Sequence, residues 1–208
     1  LEALRRFQPA AQMVYVGTST QIGPMIMEPI TEGHPVAPVD IYSANKAAAE
    51  YYCLIYARAY DMAVNSVRLP NVYGPRANIN SPDFGFINFF FGLALDEQCL
   101  TIFGDGDQLR SVVYVQDAIT ALALATQTDL RGRVWFAGNE RSVSVRDLAQ
   151  RIVAACGTGS VTQVVWPDDR KRIDVGDVII DSSQIQSDLG WQAVVSLDEG
   201  MQETVRYY

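Results

Sequence analysis

The hydrophobic pattern near the start of the chain predicts two buried strands with a helix between them. Residues 13–16 form a short apolar run rich in β-branched and aromatic residues that opens into the small polar stretch 17–20, and residues 63–69 (AVNSVRL) are a second strand candidate. The alanine-rich stretch 42–61 is typical of a helix, and Asp40 is placed to cap its first turn. A strand, a helix and a strand of these lengths imply two parallel strands in one sheet.

The rest of the chain continues to alternate strands with helices, which is typical of an α/β protein. The segment PNVYGP at 70–75 is predicted to be irregular, because its prolines and glycine disfavour regular structure. Further strands are predicted at 100–103, 111–115, 134–137, 161–166 and 178–180. Further helices are predicted at 84–97, 116–126, 144–156 (with Ser144 as its cap), 182–189 and 196–208.

Composition and charge narrow the class of protein. Of the 208 residues, 49% are hydrophobic and 19% are charged, so the chain can bury a proper core. The net charge of -8 argues against a surface for nucleic acid or for an anionic membrane. The longest apolar run, residues 84–95, is too short to span a bilayer. Three cysteines without a CxxC pair predict reduced thiols in a cytoplasmic protein and no metal site.

A tyrosine and a lysine lie four residues apart at the start of the first predicted helix. Tyr42 and Lys46 therefore fall on one helical face, where an ammonium can stabilise a phenolate. Such a tyrosine can exchange a proton with a substrate hydroxyl near neutral pH. The alternative is a tyrosine that packs the helix edge and a lysine that is a solvated surface charge. Only Lys46 and Lys171 occur in the chain, and this scarcity favours the functional interpretation.

Thr18 adds a hydroxyl at the end of the first predicted strand. In open α/β sheets, ligands bind outside the carboxyl ends of the strands, so this position faces the expected crevice. Thr18, Tyr42 and Lys46 come from adjoining elements and can converge on an alcohol or carbonyl carbon. That arrangement can move a proton while a hydride leaves or arrives. Taken alone, Thr18 is more typical of an ordinary strand end.

Five sequence motifs occur in order along the chain: GTSTQIG, YSANK, RLPNVYGPR, FGDGDQLRSVVYVQDA and SSQIQSDLGW. Together they resemble the extended short-chain dehydrogenase/reductase family, the nucleotide-sugar epimerases and dehydratases. The resemblance runs from about residue 13 to the C-terminus. It implies the C-terminal part of a Rossmann-type parallel sheet that binds NAD, with NADP as the alternative. It further implies a smaller α/β domain for a nucleotide diphosphate sugar, and a homodimer formed through the Tyr42 helix.

The resemblance assigns roles in catalysis and cofactor binding to four residues. Thr18 matches the catalytic Ser/Thr of the family and also contacts the substrate. Tyr42 matches its acid/base, and Lys46 matches the lysine that lowers the tyrosine pKa and binds the cofactor ribose. Pro70 matches the residue whose backbone borders the nicotinamide, and Tyr42 is also expected to contact the cofactor.

The resemblance also assigns substrate contacts. Asn71 matches the asparagine that contacts the sugar diphosphate, and Phe103 ends the strand along which the nucleotide base lies. Arg110 matches the arginine that binds the diphosphate, in keeping with bidentate binding of phosphate by guanidinium. Arg172 is a second candidate arginine, and the alternative for it is a solvated charge in DDRKR.

The expected domain organisation divides the chain in two. Residues 1–80 and 107–128 are assigned to a partial NAD-binding domain, and residues 81–106 and 129–208 to the substrate domain. The family's glycine-rich turn GxxGxxG, which holds the pyrophosphate at a helix N-terminus, does not occur in this sequence. The chain is therefore expected to be a fragment that lacks the first strands and is inactive by itself.

The residues after Thr18 bear on the reaction. Dehydratases of the family usually place Asp-Glu after the catalytic threonine, and the related decarboxylases carry a glutamate there. Here Ser19 and Thr20 follow, and their hydroxyls cannot supply the extra acid/base step. This favours an NAD-dependent epimerase that works through a keto intermediate. The alternatives are a 4,6-dehydratase or reductase of the same family, and a non-catalytic relative that binds a dinucleotide or a sugar.

Overall fold

A computed structural model describes residues 1–139 and 141–208 of the chain. Its strands are β1 (Met13–Thr18), β2 (Val64–Leu69), β3 (Asn71–Tyr73), β4 (Cys99–Phe103), β5 (Leu109–Arg110), β6 (Val112–Tyr114), β7 (Val134–Phe136), β8 (Val143–Ser144) and β9 (Ser160–Val164). Its helices are α1 (Glu2–Phe7), α2 (Ile41–Tyr60), α3 (Phe86–Leu95), α4 (Val115–Ala125), α5 (Val145–Cys156), α6 (Asp168–Lys171), α7 (Ser183–Leu189) and α8 (Leu197–Tyr207). Single 3-10 turns occupy Ser19–Ile22 and Pro82–Phe84.

A parallel sheet in the order β1-β2-β7 carries the first part of the chain. Met13 pairs with Val64 at one end of β1, and Thr18 pairs with Leu69 at the other. Helix α2 connects these two strands, as the hydrophobic pattern predicts. The carboxyl ends of β1 and β2 therefore lie side by side, which brings the residues after each strand to one edge of the sheet.

Strand β2 is buried along its whole length because helices cover both faces of the sheet. Val64 packs with Ala57 of α2 and Met62, whereas Val67 packs with Ala121 of α4. Val64 and Val67 are three positions apart, so their side chains point to opposite faces of a strand. Apolar residues can therefore occur on both faces of β2, and the strand does not show a strict alternation of apolar and polar residues.

The second part of the chain forms its own apolar cluster around the parallel pair β4 and β9. Leu100 and Ile102 of β4 pack with Phe91 of α3 and with Leu148 and Ile152 of α5. All five side chains are almost fully excluded from solvent. This cluster supports the strand that ends at Phe103, which is one of the predicted substrate contacts.

Two sequence-based predictions of secondary structure are wrong. Residues 71–73 form strand β3, which pairs in parallel with β6, because Pro70 and Gly74 disrupt only the flanks of the segment. Residues 178–180 form no regular strand: Val178 bridges to Arg110 and Ile180 bridges to Ile30, so the segment is divided between two neighbours. The predicted caps are confirmed, since Asp40 accepts from the Ser43 amide and Ser144 accepts from the Asp147 amide.

No helix in the described ranges is both long enough and apolar enough to cross a membrane.

Candidate active site

The 3-10 turn after β1 holds Thr18 in a fixed position. The Thr18 amide donates to Gln21 Oε1 at 2.7 Å, and Thr18 Oγ1 accepts from the Thr20 amide at 3.4 Å. This reciprocal capping box ends the strand and starts the turn within one residue. The Thr18 hydroxyl is thereby placed at the carboxyl end of β1.

Helix α2 begins beside this turn. Asp40 adopts an extended backbone and its carboxylate caps the helix, with Oδ1 2.7 Å from the Ser43 amide. The Ser43 hydroxyl is fully buried, 2.8 Å from Asp40 Oδ2 and 2.7 Å from Thr20 Oγ1. Thr20 Oγ1 lies in turn 3.2 Å from Thr18 Oγ1. A continuous set of hydrogen bonds therefore ties the first turn of α2 to the Thr18 loop.

Tyr42 and Lys46 lie on the first two turns of α2. Tyr42 is 61% exposed, so its phenol is accessible. The Lys46 ammonium donates to the Val16 carbonyl at 2.5 Å and lies 4.7 Å from the centre of the Tyr15 ring. Among the described residues, no hydrogen bond joins the Tyr42 hydroxyl to the Lys46 ammonium. The structure therefore attaches the lysine to β1, two residues before Thr18, and places Tyr42 next in sequence to Ser43, whose hydroxyl contacts the Thr18 loop.

A buried ion pair lies beneath these residues and was missed from the sequence. Glu50 is one turn after Lys46 and is 1% exposed, and its carboxylate accepts from Arg68 of β2 at 2.5 to 3.2 Å and from Ser66 Oγ at 2.6 Å. A Cβ on Gly17 would lie 3.0 Å from Arg68 Cγ and 3.2 Å from Glu50 Oε2. Glycine thus lets β1 approach the pair closely. The available signal was an arginine within the predicted strand at 63–69, between Val67 and Leu69.

Pro70 and Asn71 follow β2 at the same edge of the sheet. Pro70 is buried, and a Cβ on Gly138 would be 3.4 Å from its Cγ, so the chain packs closely around it. The Asn71 amide and carboxamide both lie 3.4 Å from the Ser111 carbonyl and donate to it. Asn71 is therefore attached to the residue that follows Arg110.

A cavity of about 600 Å³ contains two of the five predicted substrate contacts, Phe103 and Arg110, whereas Thr18, Asn71 and Arg172 are not in its described lining. Its lining includes the phenylalanines of α3 together with Thr101, Phe103 and Arg110. The Phe103 and Trp166 rings lie 5.4 Å apart between centroids and are tilted by 43°. A cavity with an apolar wall, aromatic rings and a few polar groups is typical of a small-molecule site.

Arg110 is held rigidly at this cavity. Its guanidinium donates to Asp174 at 3.0 Å, to the Gly176 carbonyl at 2.5 Å and to the Leu109 carbonyl at 3.0 Å. Burial lowers the pKa of Arg110, an effect that the Asp174 carboxylate opposes. Any phosphate bound here would therefore meet a positioned guanidinium that already has one anionic partner.

The structure places the second candidate arginine outside the cavity. Arg172 is exposed at the end of α6, whereas Arg170, within that helix, lines the cavity wall. The DDRKR segment forms a single helical turn, so residues two positions apart point in different directions. The sequence pointed to this basic segment as a source of a substrate contact, but it indicated Arg172, whereas the residue that lines the cavity is Arg170.

Comparison with known proteins gives relatives along almost the whole chain. The family model described as GDP-mannose 4,6 dehydratase matches residues 1–204. The chain is 30% identical over 197 residues to a dTDP-glucose 4,6-dehydratase of Actinoplanes sp., which covers 95% of this chain and 60% of that protein. It is 31% identical over 180 residues to a UDP-glucose 4-epimerase of Mycolicibacterium smegmatis, which covers 86% of this chain and 56% of that protein. The chain thus spans less than two thirds of either relative.

Solved structures share its fold. A UDP-glucose 4-epimerase of Thermotoga maritima, solved with UDP-glucose, superposes with a TM-score of 0.88 at 26% identity, over 99% of this chain and 65% of that one. A dTDP-glucose 4,6-dehydratase of Bacillus anthracis, solved with NAD, gives a TM-score of 0.85 at 25% identity, over 100% of this chain and 64% of that one.

Proposed function

Because the chain belongs to the GDP-mannose 4,6-dehydratase family of extended short-chain dehydrogenases/reductases, we propose that it carries the catalytic and substrate residues of an NAD-dependent nucleotide-sugar epimerase. The observation that carries the proposal is the hydrogen-bonded contact between the first turn of α2 and the Thr18 loop. This contact puts Thr18, Tyr42 and Lys46 at one edge of the sheet, where the carboxyl ends of parallel strands bind ligands.

The three residues have separate tasks in this reaction. The exposed Tyr42 phenol exchanges a proton with the hydroxyl of the sugar carbon that is oxidised. The Lys46 ammonium, which is bound to the Val16 carbonyl, donates hydrogen bonds to the cofactor ribose. Thr18 contacts the same sugar hydroxyl and orients it toward Tyr42. Oxidation to the ketone removes the configuration at this carbon. Return of the hydride to the opposite face of the ketone then inverts the centre.

The residues at this edge fit the nicotinamide end of NAD. A lysine ammonium has three N–H groups, and the Val16 carbonyl takes one of those of Lys46. Two N–H groups remain for ribose hydroxyls, while Tyr42 and Pro70 border the space beside them. NAD supplies the hydride acceptor for the sugar alcohol when it is bound, and NADP is the alternative cofactor. The B. anthracis dehydratase, which has the same fold, was solved with NAD.

The 600 Å³ cavity is proposed as the site of the nucleotide diphosphate. The base lies against Phe103 and Trp166, and Arg110 faces the diphosphate. Asn71, which is not in the described lining of the cavity, is proposed to contact the sugar diphosphate from β3. Under this proposal residues 81–106 and 129–208 form the substrate domain, and residues 1–80 and 107–128 belong to the NAD domain. The T. maritima epimerase was solved with UDP-glucose, which supports a ligand of this chemical class.

A 4,6-dehydratase is the second candidate, and the family model and the Actinoplanes relative favour it. The hydroxyls after Thr18 favour the epimerase instead. Thr20 Oγ1 is bonded to Thr18 and Ser43, and neither Ser19 nor Thr20 is a carboxylate that could remove a second proton. Elimination of water needs such an acid/base group in addition to Tyr42.

Product analysis separates the two reactions. A protein in which a GxxGxxG-bearing NAD-binding segment precedes this chain, so that the missing pyrophosphate turn is supplied, is incubated with NAD and UDP-glucose or dTDP-glucose, and the sugars are examined by proton NMR and mass spectrometry. An epimerase gives a product of unchanged mass with one inverted centre, whereas a dehydratase gives a product that has lost one water. Loss of water would overturn the epimerase assignment, and absence of both products with every nucleotide sugar tried would overturn catalysis at this site.

We further propose a homodimer formed through α2. Only a narrow stripe of this helix is buried, whereas Tyr51, Tyr52 and Ile55 are each more than half exposed. An exposed apolar helix face of this kind is typical of an interface. Size-exclusion chromatography with light scattering tests it: Ile55→Glu should convert a dimer to a monomer, whereas Ile119→Glu on α4 should not.

A further inference from the structure

We propose that His34, the single histidine of the chain, is a proton-sensitive clasp that holds the exposed tip of the loop leading into α2. The loop spans residues 23–37 and is closed at its base, because a Cβ on Gly23 would overlap the Ala37 carbonyl oxygen. A surface segment whose ends meet in this way is an Ω-loop, and such loops are packed by their own side chains. The contacts inside the loop therefore decide its shape.

The two halves of the loop are held differently. In the second half, Ile30 is fully buried and donates to the Ile179 carbonyl at 2.7 Å, which attaches it to the C-terminal part of the chain. The first half contains the loop tip (residues 24–28), where Ile26 is 68% exposed. Among the described residues, the one hydrogen bond of the main chain of the loop tip runs from the Ile26 amide to His34 Nε2 at 3.0 Å. The imidazole thus holds the tip.

This bond fixes the protonation of His34. An amide N–H can only donate, so Nε2 must direct its lone pair toward Ile26. In a neutral imidazole the proton is then on Nδ1, which lies 3.0 Å from the Pro35 carbonyl and donates to it. The arrangement requires a neutral His34 in the Nδ1–H tautomer.

A proton on Nε2 breaks the clasp. The nitrogen becomes a donor and faces the Ile26 N–H with no acceptor between them. The His34 side chain is 4% exposed, so water does not readily take the place of the lost partner. Protonation therefore costs the loop its bond with Ile26.

The charged groups around the loop do not compensate for this loss. In the described part of the chain, no carboxylate lies within 4.0 Å of a ring nitrogen of His34. Glu32 accepts from the Phe136 amide, and Arg68, whose charge acts on Glu32, is paired with Glu50. The other carboxylates of the loop, of the start of α2 and of the C-terminal segment packed against the loop are Glu28, Asp40, Asp174, Asp177 and Asp181.

Gain of a proton therefore frees the loop tip, while Ile30 keeps the second half of the loop attached. Histidine ordinarily changes its charge between about pH 8 and pH 5, so the tip is held at neutral pH and released in acid. The effect on catalysis rests on the proposed function. The loop joins the turn after Thr18 to the helix of Tyr42, and a free tip adds disorder that substrate binding must remove. His34 acts through the loop and is a positioning residue.

Hydrogen exchange of the Ile26 amide, followed by NMR in the nitrogen-15-labelled chain, tests the clasp without substrate. In the wild type the protection of this amide, relative to its intrinsic exchange rate at each pH, should fall about fivefold or more from pH 8 to pH 5. The Ile30 amide, bonded to the Ile179 carbonyl, is the internal control and should keep its protection. Nitrogen-15 shifts of the single imidazole should show Nδ1 protonated and Nε2 unprotonated at neutral pH.

Two substitutions separate the two nitrogens. The side-chain oxygen of His34→Gln reaches the Nε2 position and accepts from Ile26 but gains no proton, so protection should be retained across the pH range. The shorter side chain of His34→Asn reaches only the Nδ1 position, so the Ile26 amide should be unprotected at every pH. Wild-type protection that does not change with pH, equal exchange in the two variants, or a proton on Nε2 at neutral pH would overturn the proposal.

The link to catalysis is measured on a protein in which a GxxGxxG-bearing NAD-binding segment precedes this chain. Below neutral pH, kcat/KM of the wild type should fall more steeply than that of His34→Gln, because both proteins share Tyr42 and differ only in the clasp. Profiles that coincide would show that release of the tip does not reach the catalytic residues, and that part of the proposal would be wrong. If neither protein turns over a nucleotide sugar, the proposed function fails, whereas the exchange result decides the clasp by itself.

Discussion

The ammonium of Lys46 on α2 donates to the main-chain carbonyl of Val16 on β1 at 2.5 Å. A lysine side chain is flexible in general, but here one N–H is bound to the strand two residues before Thr18. The charge lies over the Tyr15 ring, 4.7 Å from its centre, which adds a cation–π contact. The lysine is thus positioned before any ligand binds, and this reduces the entropy lost when it holds one.

Replacement of Lys46 should therefore weaken cofactor binding more than it weakens the fold. Lys46→Met removes charge-assisted hydrogen bonds to the ribose, so the dissociation constant for NAD should rise at least about tenfold. Lys171→Met, which removes the other lysine of the chain on the exposed helix α6, is the matched control. Isothermal titration of NAD into both variants measures the effect. Equal affinities would show that Lys46 does not hold the cofactor.

The buried pair of Glu50 and Arg68 should be a major contributor to stability. Glu50→Gln leaves the Arg68 cation without a counter-charge in the core, which should lower the free energy of unfolding by about 3–5 kcal/mol. Asp147→Asn breaks the exposed pair with Arg151 and should cost at most about 1 kcal/mol. Urea denaturation compares the two variants. Similar small losses would mean that the buried pair is not needed for the fold.

Stability should depend on pH through Glu32. Burial raises the pKa of Glu32, with Asp181 adding to the rise and Arg68 opposing it. A raised pKa means that the folded protein holds the proton more tightly, so the associated stability is present at low pH and is lost as pH rises through the folded pKa. In the wild type the Phe136 amide donates to Glu32 Oε1 at 2.9 Å. Glu32→Gln keeps a side-chain oxygen that can accept this hydrogen bond, but the glutamine cannot ionise.

At neutral pH, Glu32→Gln should therefore be more stable than the wild type, and the difference should shrink as the pH falls through the raised folded pKa toward the ordinary glutamate value of 4.5. Denaturation curves at several pH values measure this, with Glu203→Gln on the exposed face of α8 as the control. A difference that does not change with pH would contradict the account of Glu32.

The elements that support the site were predictable because their signals are local. The cap of Asp40, the alanine-rich helix and the apolar runs of β1 and β2 each depend on neighbouring residues, and the structure confirms all of them. Strand β3 was missed because Asn71–Tyr73 is a strand only through its pairing with β6, about forty residues further along the chain. The pairing of Glu50 with Arg68 was missed for the same reason, since it depends on contact between two elements.

The arginines of α6 give a direct test of the cavity as a nucleotide site. Arg170 lines the cavity and Arg172 does not, although the two are nearly adjacent in sequence. Arg170→Met should weaken binding of UDP or dTDP about tenfold or more, as expected for the loss of one charged hydrogen bond. Arg172→Met should bind as the wild type does. Titration calorimetry with each nucleotide measures the difference, and an equal effect of both substitutions would place the nucleotide elsewhere.

The central claim is that Tyr42 is the acid/base of a nucleotide-sugar reaction, and Tyr42→Phe tests it most directly. The substitution removes only a hydroxyl from a side chain that is 61% exposed, so the fold should be unaffected. Tyr207→Phe, an exposed tyrosine on α8, is the control. The measurement is kcat with NAD and the preferred nucleotide sugar, made on the protein in which a GxxGxxG-bearing NAD-binding segment precedes this chain. The account predicts a loss of about 10²–10⁴-fold for Tyr42→Phe and none for Tyr207→Phe, and a Tyr42→Phe protein that keeps its turnover would contradict it.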